Sequence, residues 1–449
     1  MQDIWVLYFI DPDLEIITDS DGAVTSIFFQ DGHMKKFFSL YPELLMLDAT
    51  YKLTNVRMPL YVMLCVGPNG ESEIVAVFLT VREDAPTLCE ALDRFKSRNP
   101  HWNNICTVMT DKDLAEREAV KQKFPQVALM LCLFHVLRAM SREVTTSKMS
   151  ITEEQRGRAL QALQGLAYAK SDEEYNSLRE SFRTSMPQTV VQYYEANWHT
   201  CRHEWVLCWQ RQNVTFGERT NNRLESVNKR LKAVIKSGSS LPNFFKDLIA
   251  MLACMRMERH HTILSVTDKV SVKHYPVGSA QSKFSAALTP FACSLVLKQL
   301  KLAEDGPPLG DVTAHDRCCS YSETIGLPCH HMLAIRMQAK ESVFTLQGIW
   351  PRWLKADMLS HRQLFNTADA DTTAVTITQQ KVRPLTLNEK FQRCKRLGQT
   401  VIGLVCEGGS EQFHSRIAVL NRLIRVWQKE GIAIIKHADC EDENEEVQA

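Results

Sequence analysis

No stretch of this 449-residue sequence is apolar for the 20 or so residues that a membrane-spanning helix needs. The N-terminal run MQDIWVLYFIDPDLEI is broken by Asp11 and Asp13 and has no basic lead, so neither a signal peptide nor an anchor is expected there. An excess of one charge is also missing, since 53 Lys and Arg face 52 Asp and Glu. That balance excludes a wholly cationic nucleic-acid binder and leaves local basic faces as the only electrostatic route to such a partner. No internal repeat is present, which sets repeat architectures aside.

What is present is ordinary globular material, 45% hydrophobic and 23% charged, in a chain long enough for two or three domains. Fourteen cysteines without an export signal are expected as reduced thiols, most of them buried as small apolar residues. The exception is the close group Cys318, Cys319 and Cys329, followed by His330 and His331.

Residues 1–150 alternate short apolar or β-branched runs with helical spacing. Strands are expected at Trp5 to Ile10, Val24 to Gln30, Leu44 to Asp48, Leu60 to Val66, Ile74 to Val81, Ile105 to Met109 and Val127 to Cys132. Helices are expected over Ala85 to Arg98, Leu114 to Phe124 and Phe134 to Val144. This is an α/β layered pattern. From Ile151 the signal is helical, through a capped start at Thr152, a basic stretch at Asn221 to Lys236 and a helix at Pro242 to Glu258. Residues 261–310 form a mixed connecting region ending in GPPLG, 311–345 hold the cysteine group, 346–435 are helical with a helix at His414 to Glu430, and 436–449 are an acidic tail without a fold of its own.

Two carboxylates close apolar strands: Asp48 in LLMLDATYKLT and Asp111 in ICTVMTDKD. A buried carboxylate is costly unless it is hydrogen-bonded, paired or bound to a metal. Taken alone, Asp48 is a turn residue and Thr110 or Asp111 a helix cap. Taken together, strand-end acids in one α/β sheet can converge on one site, and two-metal phosphoryl transfer needs such acids. Glu225 in TNNRLESVNKRLK is the leading third acid, with Glu218 behind it, because Arg223, Lys229, Arg230 and Lys232 on the same helix would hold phosphates. The plainer alternative is an amphipathic helix with a Glu225–Lys229 pair. Cys132 and His135, three apart, lack two ligands for zinc and are read as a packed cysteine and a hydrogen-bonded histidine. In HDRCCSYSETIGLPCHHMLAIR, Cys319, Cys329 and His331 supply three soft ligands around the Gly326-Leu-Pro328 turn, and Cys318 or His315 the fourth.

In order, LLMLDATYKLT, TVMTDKD, CLFH and TNNRLESVNKRLK resemble the motifs of Mutator-like (MULE) transposases, and GLPCHHMLAIR resembles the end of a SWIM zinc finger. The combination is similar to the animal zinc-finger SWIM domain-containing proteins, over residues 1–345. The resemblance implies a ribonuclease-H-like core (1–150, completed by 217–260) with an all-α insertion (151–216) and a small zinc segment (311–345). It implies Asp48, Asp111 and Glu225 as Mg²⁺-binding acids, Cys132 and His135 as the family CxxH, and Zn²⁺ on Cys318, Cys319, Cys329 and His331. The first SWIM cysteine falls on Arg317, which cannot ligate zinc, and the sequence begins almost at once with the strands leading to Asp48. Both departures lead to the expectation of a domesticated nuclear protein that binds zinc and either DNA or protein partners without transposition. The alternatives are an active DDE-type DNA transposase or nuclease and a protein-interaction adaptor.

Overall fold

A strand buried at every position needs cover on both faces of its sheet, and Leu60–Val66 is such a strand. The computed structural model describes residues 13–268, 275–306, 320–361, 401, 405 and 409–428. Its sheet has seven strands: β1 Leu14–Thr18, β2 Val24–Phe29, β3 Leu44–Thr50, β4 Leu60–Val66, β5 Ser72–Thr80, β6 Thr107–Thr110 and β7 Ala128–Leu131. Their order is β1-β2-β5-β4-β3-β6-β7. The pairs from β1 to β3 are antiparallel, whereas β3–β6 and β6–β7 are parallel. The carboxyl ends of β3, β6 and β7 therefore meet at one edge. This is the mixed α/β core expected from the sequence.

Alternation along the strands sends side chains to opposite faces. One face takes α1 (Gly32–Leu40), α2 (Ala85–Arg98) and α3 (Leu114–Lys123), with Phe38, Leu92 and Val120 packed against Leu47, Met63 and Phe78. A second core is built by α4 (Leu133–Glu143), α5 (Glu153–Ala167), α6 (Asp172–Ser185) and α7 (Gln188–Tyr194) around Trp198 and Trp205. The capping box at Thr152 and Gln155 starts α5 where the sequence places it.

The other face of the sheet is covered by α8 (Asn222–Val234), α9 (Leu241–Asp268), α10 (Pro290–Asp305) and α11 (His330–Gln338). Residues 261–310, read as a connection, contribute Phe284, Leu288, Val296 and Leu300 to this core. The stretch around Cys329 contributes Ile325, Leu327, Leu333 and Trp353 to the same cluster, so it is built into the sheet's cover. Arg352 fastens it: 4% exposed, it pairs with Glu43, donates to the Val66 carbonyl and lies 4.0 Å over the Phe216 ring.

Three differences from the sequence reading have plain causes. β1 is a short, half-exposed edge strand without an apolar run, and α1, capped by Asp31, follows too few periodic residues to stand out. The helix after Leu241 runs ten residues past Glu258, because MERHHTILSVTD contains no breaker. The expected strand at Trp5 to Ile10, the 306–310 joint beyond Gly306 and the acidic tail lie outside the described residues.

The chain divides into two compact units, Met1–Thr367 and Ala368–Ala449. In the second, α12 (Ser410–Gln428) carries half-buried Phe413, Ile417 and Leu420 at helical spacing. Among the described residues no helix is long and apolar enough to cross a membrane.

One glycine is fixed twice over. Gly326 has φ +69°, and a Cβ there would overlap the Trp350 ring. Gly326→Ala is expected to cost about 2–4 kcal/mol from left-handed strain and overpacking together. Urea unfolding that moved by less than half a kilocalorie would contradict this placement.

Candidate functional site

Parallel pairing delivers three sequence-predicted residues to one sheet edge. Asp48, in β3 opposite Val62 of β4, is 7% exposed. Asp111 follows β6 directly, and Cys132 follows β7. The expectation that Thr110 or Asp111 caps the following helix is corrected: Asp113 caps α3, accepting from the Ala115 and Glu116 N–H groups at 2.9 and 3.0 Å. Asp111 stands before the helix, where its Oδ1 accepts the Asp113 N–H at 2.8 Å.

Helix α8 reaches this edge because both of its ends are tied to it. At its start the Cys132 thiol donates to Asn221 Oδ1 at 3.0 Å while its sulfur accepts the Asn221 N–H at 3.2 Å. The Leu133 N–H donates to the Arg219 carbonyl at 2.9 Å beside it. At its far end Ser237 Oγ donates to the Lys52 carbonyl at 2.8 Å, and Ser239 exchanges backbone bonds with Leu53 and Asn55. Leu224, Val227 and Leu231 then face the core. Glu225 and Asn228, each one position on from an apolar residue, turn toward β3.

Asn228 Nδ2 donates to Asp48 Oδ2 at 3.0 Å. Glu225 Oε1 lies 3.9 Å from His135 Nε2, and no Glu225–Lys229 pair forms among the described residues. Cys132 is fully buried, as the packed-cysteine reading has it. The CxxH is thus a clasp: its cysteine holds the start of α8 and its histidine reaches the acid one turn along.

The electrostatics show that the acids share a field. Burial, then the Asp111 charge and, more weakly, the Glu225 charge raise the Asp48 pKa from 3.8 to about 7, against hydrogen bonds from the Ala49 backbone and Asn228. Like charges gathered in a desolvated place are what a divalent cation relieves, and an all-oxygen donor set suits Mg²⁺. The donor chemistry of Asp48, Asp111 and Glu225 therefore fits such an ion. As placed, however, no three His, Cys, Asp or Glu side chains among the described residues lie together so as to hold a metal ion.

Sequence reasoning missed two groups here. Glu116, 2% exposed, has its carboxyl pushed well above the usual range by burial and by Asp111 and Asp48. In the first turn of α3 it passes for an ordinary helix-dipole acid. Asn228 gave only the signal of its three-residue spacing from Glu225.

The remaining predicted residues lie elsewhere. Glu218 pairs with Arg223 at 2.6 Å, and Arg223 also donates to the Gly70 carbonyl and Ser72 Oγ. Arg230 pairs with Glu258 at 2.8 Å, while Lys229 and Lys232 are exposed. Cys329 is buried at the start of α11 with His331 in its first turn, and Cys318 and Cys319 lie outside the described residues.

Residues 12–130 match the model described as zinc finger SWIM domain-containing protein 1/3, RNaseH-like domain. The chain is similar to the transposase for insertion sequence element IS1201 of Lactobacillus helveticus, 25% identical over 219 residues that cover 46% of this chain and 53% of that protein. It is similar to Protein FAR1-RELATED SEQUENCE 11 of Arabidopsis thaliana, 20% identical over 312 residues, 64% of this chain and 42% of that one. It is also 24% identical over 230 residues, 45% of this chain, to 5% of the PKS-NRPS hybrid synthetase cheA of Chaetomium globosum. The chain thus spans about half or less of each of these proteins.

Two outcomes follow. Asp48 binds its proton more tightly folded than unfolded, so its ionisation costs stability from about pH 4, increasingly up to about pH 7 and constantly above. Asp48→Asn should gain thermal stability relative to wild type across that window, and a difference equal at pH 4 and pH 8 would refute the burial argument. Cys132→Ala leaves the Asn221 N–H and Oδ1 without their partner and should cost about 1–3 kcal/mol in urea unfolding, with zinc content by elemental analysis unchanged.

Proposed function

For a chain that carries the RNase-H-like domain of zinc-finger SWIM proteins and is related to transposases, we propose the function of a domesticated Mutator-like transposase that binds nucleic acid in the nucleus and does not transpose. The observation that carries its transposase ancestry and nucleic-acid partner is the convergence of Asp48, Asp111 and Glu225 on one sheet edge, with the CxxH clasp holding the third acid there. Transposase architecture kept in this detail supports a nucleic-acid partner. Arginine at 317, in place of the first SWIM cysteine, supports a protein that has drifted from the ancestral role. Zinc, in this reading, is held by Cys329 and His331 with Cys318 and Cys319.

A second reading, favoured by the acid convergence itself, is a working strand-cutting enzyme. Asp48, Asp111 and Glu225 would hold Mg²⁺, which when bound supplies charge stabilisation to a phosphodiester under attack. The chain's own part is then to place the acids: the Cys132 clasp fixes α8, Asn228 orients the Asp48 carboxyl, and His135 offers Nε2 beside Glu225 as a site for a proton.

Oligonucleotide binding together with a nicking and strand-transfer assay on plasmid and terminal-repeat DNA, in Mg²⁺ and Mn²⁺, separates the readings. Binding with no cut or joined product is expected. Cleavage abolished by Asp48→Asn would establish the enzyme instead. Failure to bind any DNA or RNA, with protein partners that are still captured after nuclease treatment, would point to the protein-interaction adaptor.

A further inference from the structure

Outside the acidic edge, the described residues line a cleft of about 730 Å³. Its walls come from the helical insertion (Lys170 and Arg211), the link into α8 (Arg219) and the later helices (Gln299 and Ser320). Phe216 and Gly217, at φ +53° and +81°, make the left-handed turn that swings the link toward it.

Arg219 is an unusual cation for this molecule. Arg223, Arg230, Arg256, Arg259 and Arg352 each pair with a carboxylate. Arg219 has no such partner among the described residues. Its Nε and Nη2 atoms are occluded and donate to nothing described, and its guanidinium lies 4.9 Å over the Tyr168 ring. Arg211 is exposed beside it and likewise forms no ion pair among the described residues. Burial lowers the Arg219 pKa, opposed by the Tyr168 hydroxyl and helped more weakly by the Arg211 charge, and no carboxylate acts on it. The acids that also line the cleft, Asp172 and Glu173, are exposed in the first turn of α6, where the helix dipole favours them.

A half-buried guanidinium that no carboxylate pairs, in a concave wall with a second arginine beside it, is a place for an anion. The anion's source follows from position. Arg219 is within about 15 Å of Glu225 along the chain, since three helical steps contribute roughly 1.5 Å each and three others at most ~3.4 Å each. Each strand of a duplex carries one phosphate per 3.4 Å or so of helix axis, so the cleft is a few phosphates from the acidic edge.

We propose that the cleft at Arg211 and Arg219 is a phosphate subsite that grips the backbone of a nucleic-acid strand passing on from the acidic edge. The polymer as the phosphate's source rests on the nucleic-acid reading above, whereas the anion site itself does not. The contact is with backbone, so it adds affinity at every sequence alike.

The test has two arms, both metal-free, on the full chain. In the first, pyrophosphate should raise the melting temperature of wild type and leave that of Arg211→Gln/Arg219→Gln unmoved. An equal rise in both, or none in wild type, overturns the anion site. In the second, the double variant should bind a single-stranded oligonucleotide at least tenfold more weakly in low salt, its slope of log affinity against log salt falling by roughly one for each arginine removed. Arg219→Lys, which keeps the charge, should retain most of the slope, a result that a merely structural role would not give. Wild-type binding that the double variant keeps in full overturns the subsite. If wild type binds pyrophosphate but no nucleic acid, the anion site stands, and both the polymer source and the nucleic-acid reading fall.

Discussion

The acidic site depends on a helix held at both ends. Without the bond pair between Cys132 and Asn221 and the backbone exchange between Ser239 and the segment after β3, nothing in the apolar packing of Leu224, Val227 and Leu231 would fix the rotation of α8 about its axis. Hydrophobic contact is non-directional, and the two polar ties supply the direction. Glu225 and Asn228 face Asp48 as a result, the first adding its charge to the field there and the second a hydrogen bond to the carboxylate.

The same logic accounts for the role of the CxxH. A thiol and an imidazole three apart at the start of a helix point to different neighbours, one inward and one along the edge. Cys132 is buried against Asn221, whereas His135 is partly exposed beside Glu225. Two residues that could be taken for half a metal site thus perform separate mechanical and electrostatic tasks. Sheet order makes this possible, since β7 ends beside β6 and both run parallel to β3.

Much of this was legible in the sequence. The strands β3 to β7 announce themselves through apolar runs, and Leu60–Val66 and Ala85–Arg98 fall where their patterns begin and end. Asp48 and Asp111 were legible because each closes such a run. Glu116 was not, because an acid in a helix's first turn has an ordinary explanation that only burial removes. Asn228 and the Asp113 cap were hidden for a related reason: hydrogen-bond partners are chosen in space, and neighbouring residues in sequence offer equivalent groups. The segment around Cys329 reads as a separate module by its spacing, yet its apolar residues Ile325, Leu327 and Leu333 belong to the sheet's own cover.

The bond from Asn228 to Asp48 joins residues 180 positions apart. During synthesis the strands bearing Asp48 and Asp111 leave the ribosome well before α8, and a nascent chain emerges at only about 5–20 residues each second. For the roughly 6–26 s that the chain from Asp111 to Ser239 takes to be made, the acidic edge lacks its third acid and its amide clamp. The long insertion between β7 and α8 therefore sets how much chain must be made before the acidic edge can be completed by the residues up to Ser239.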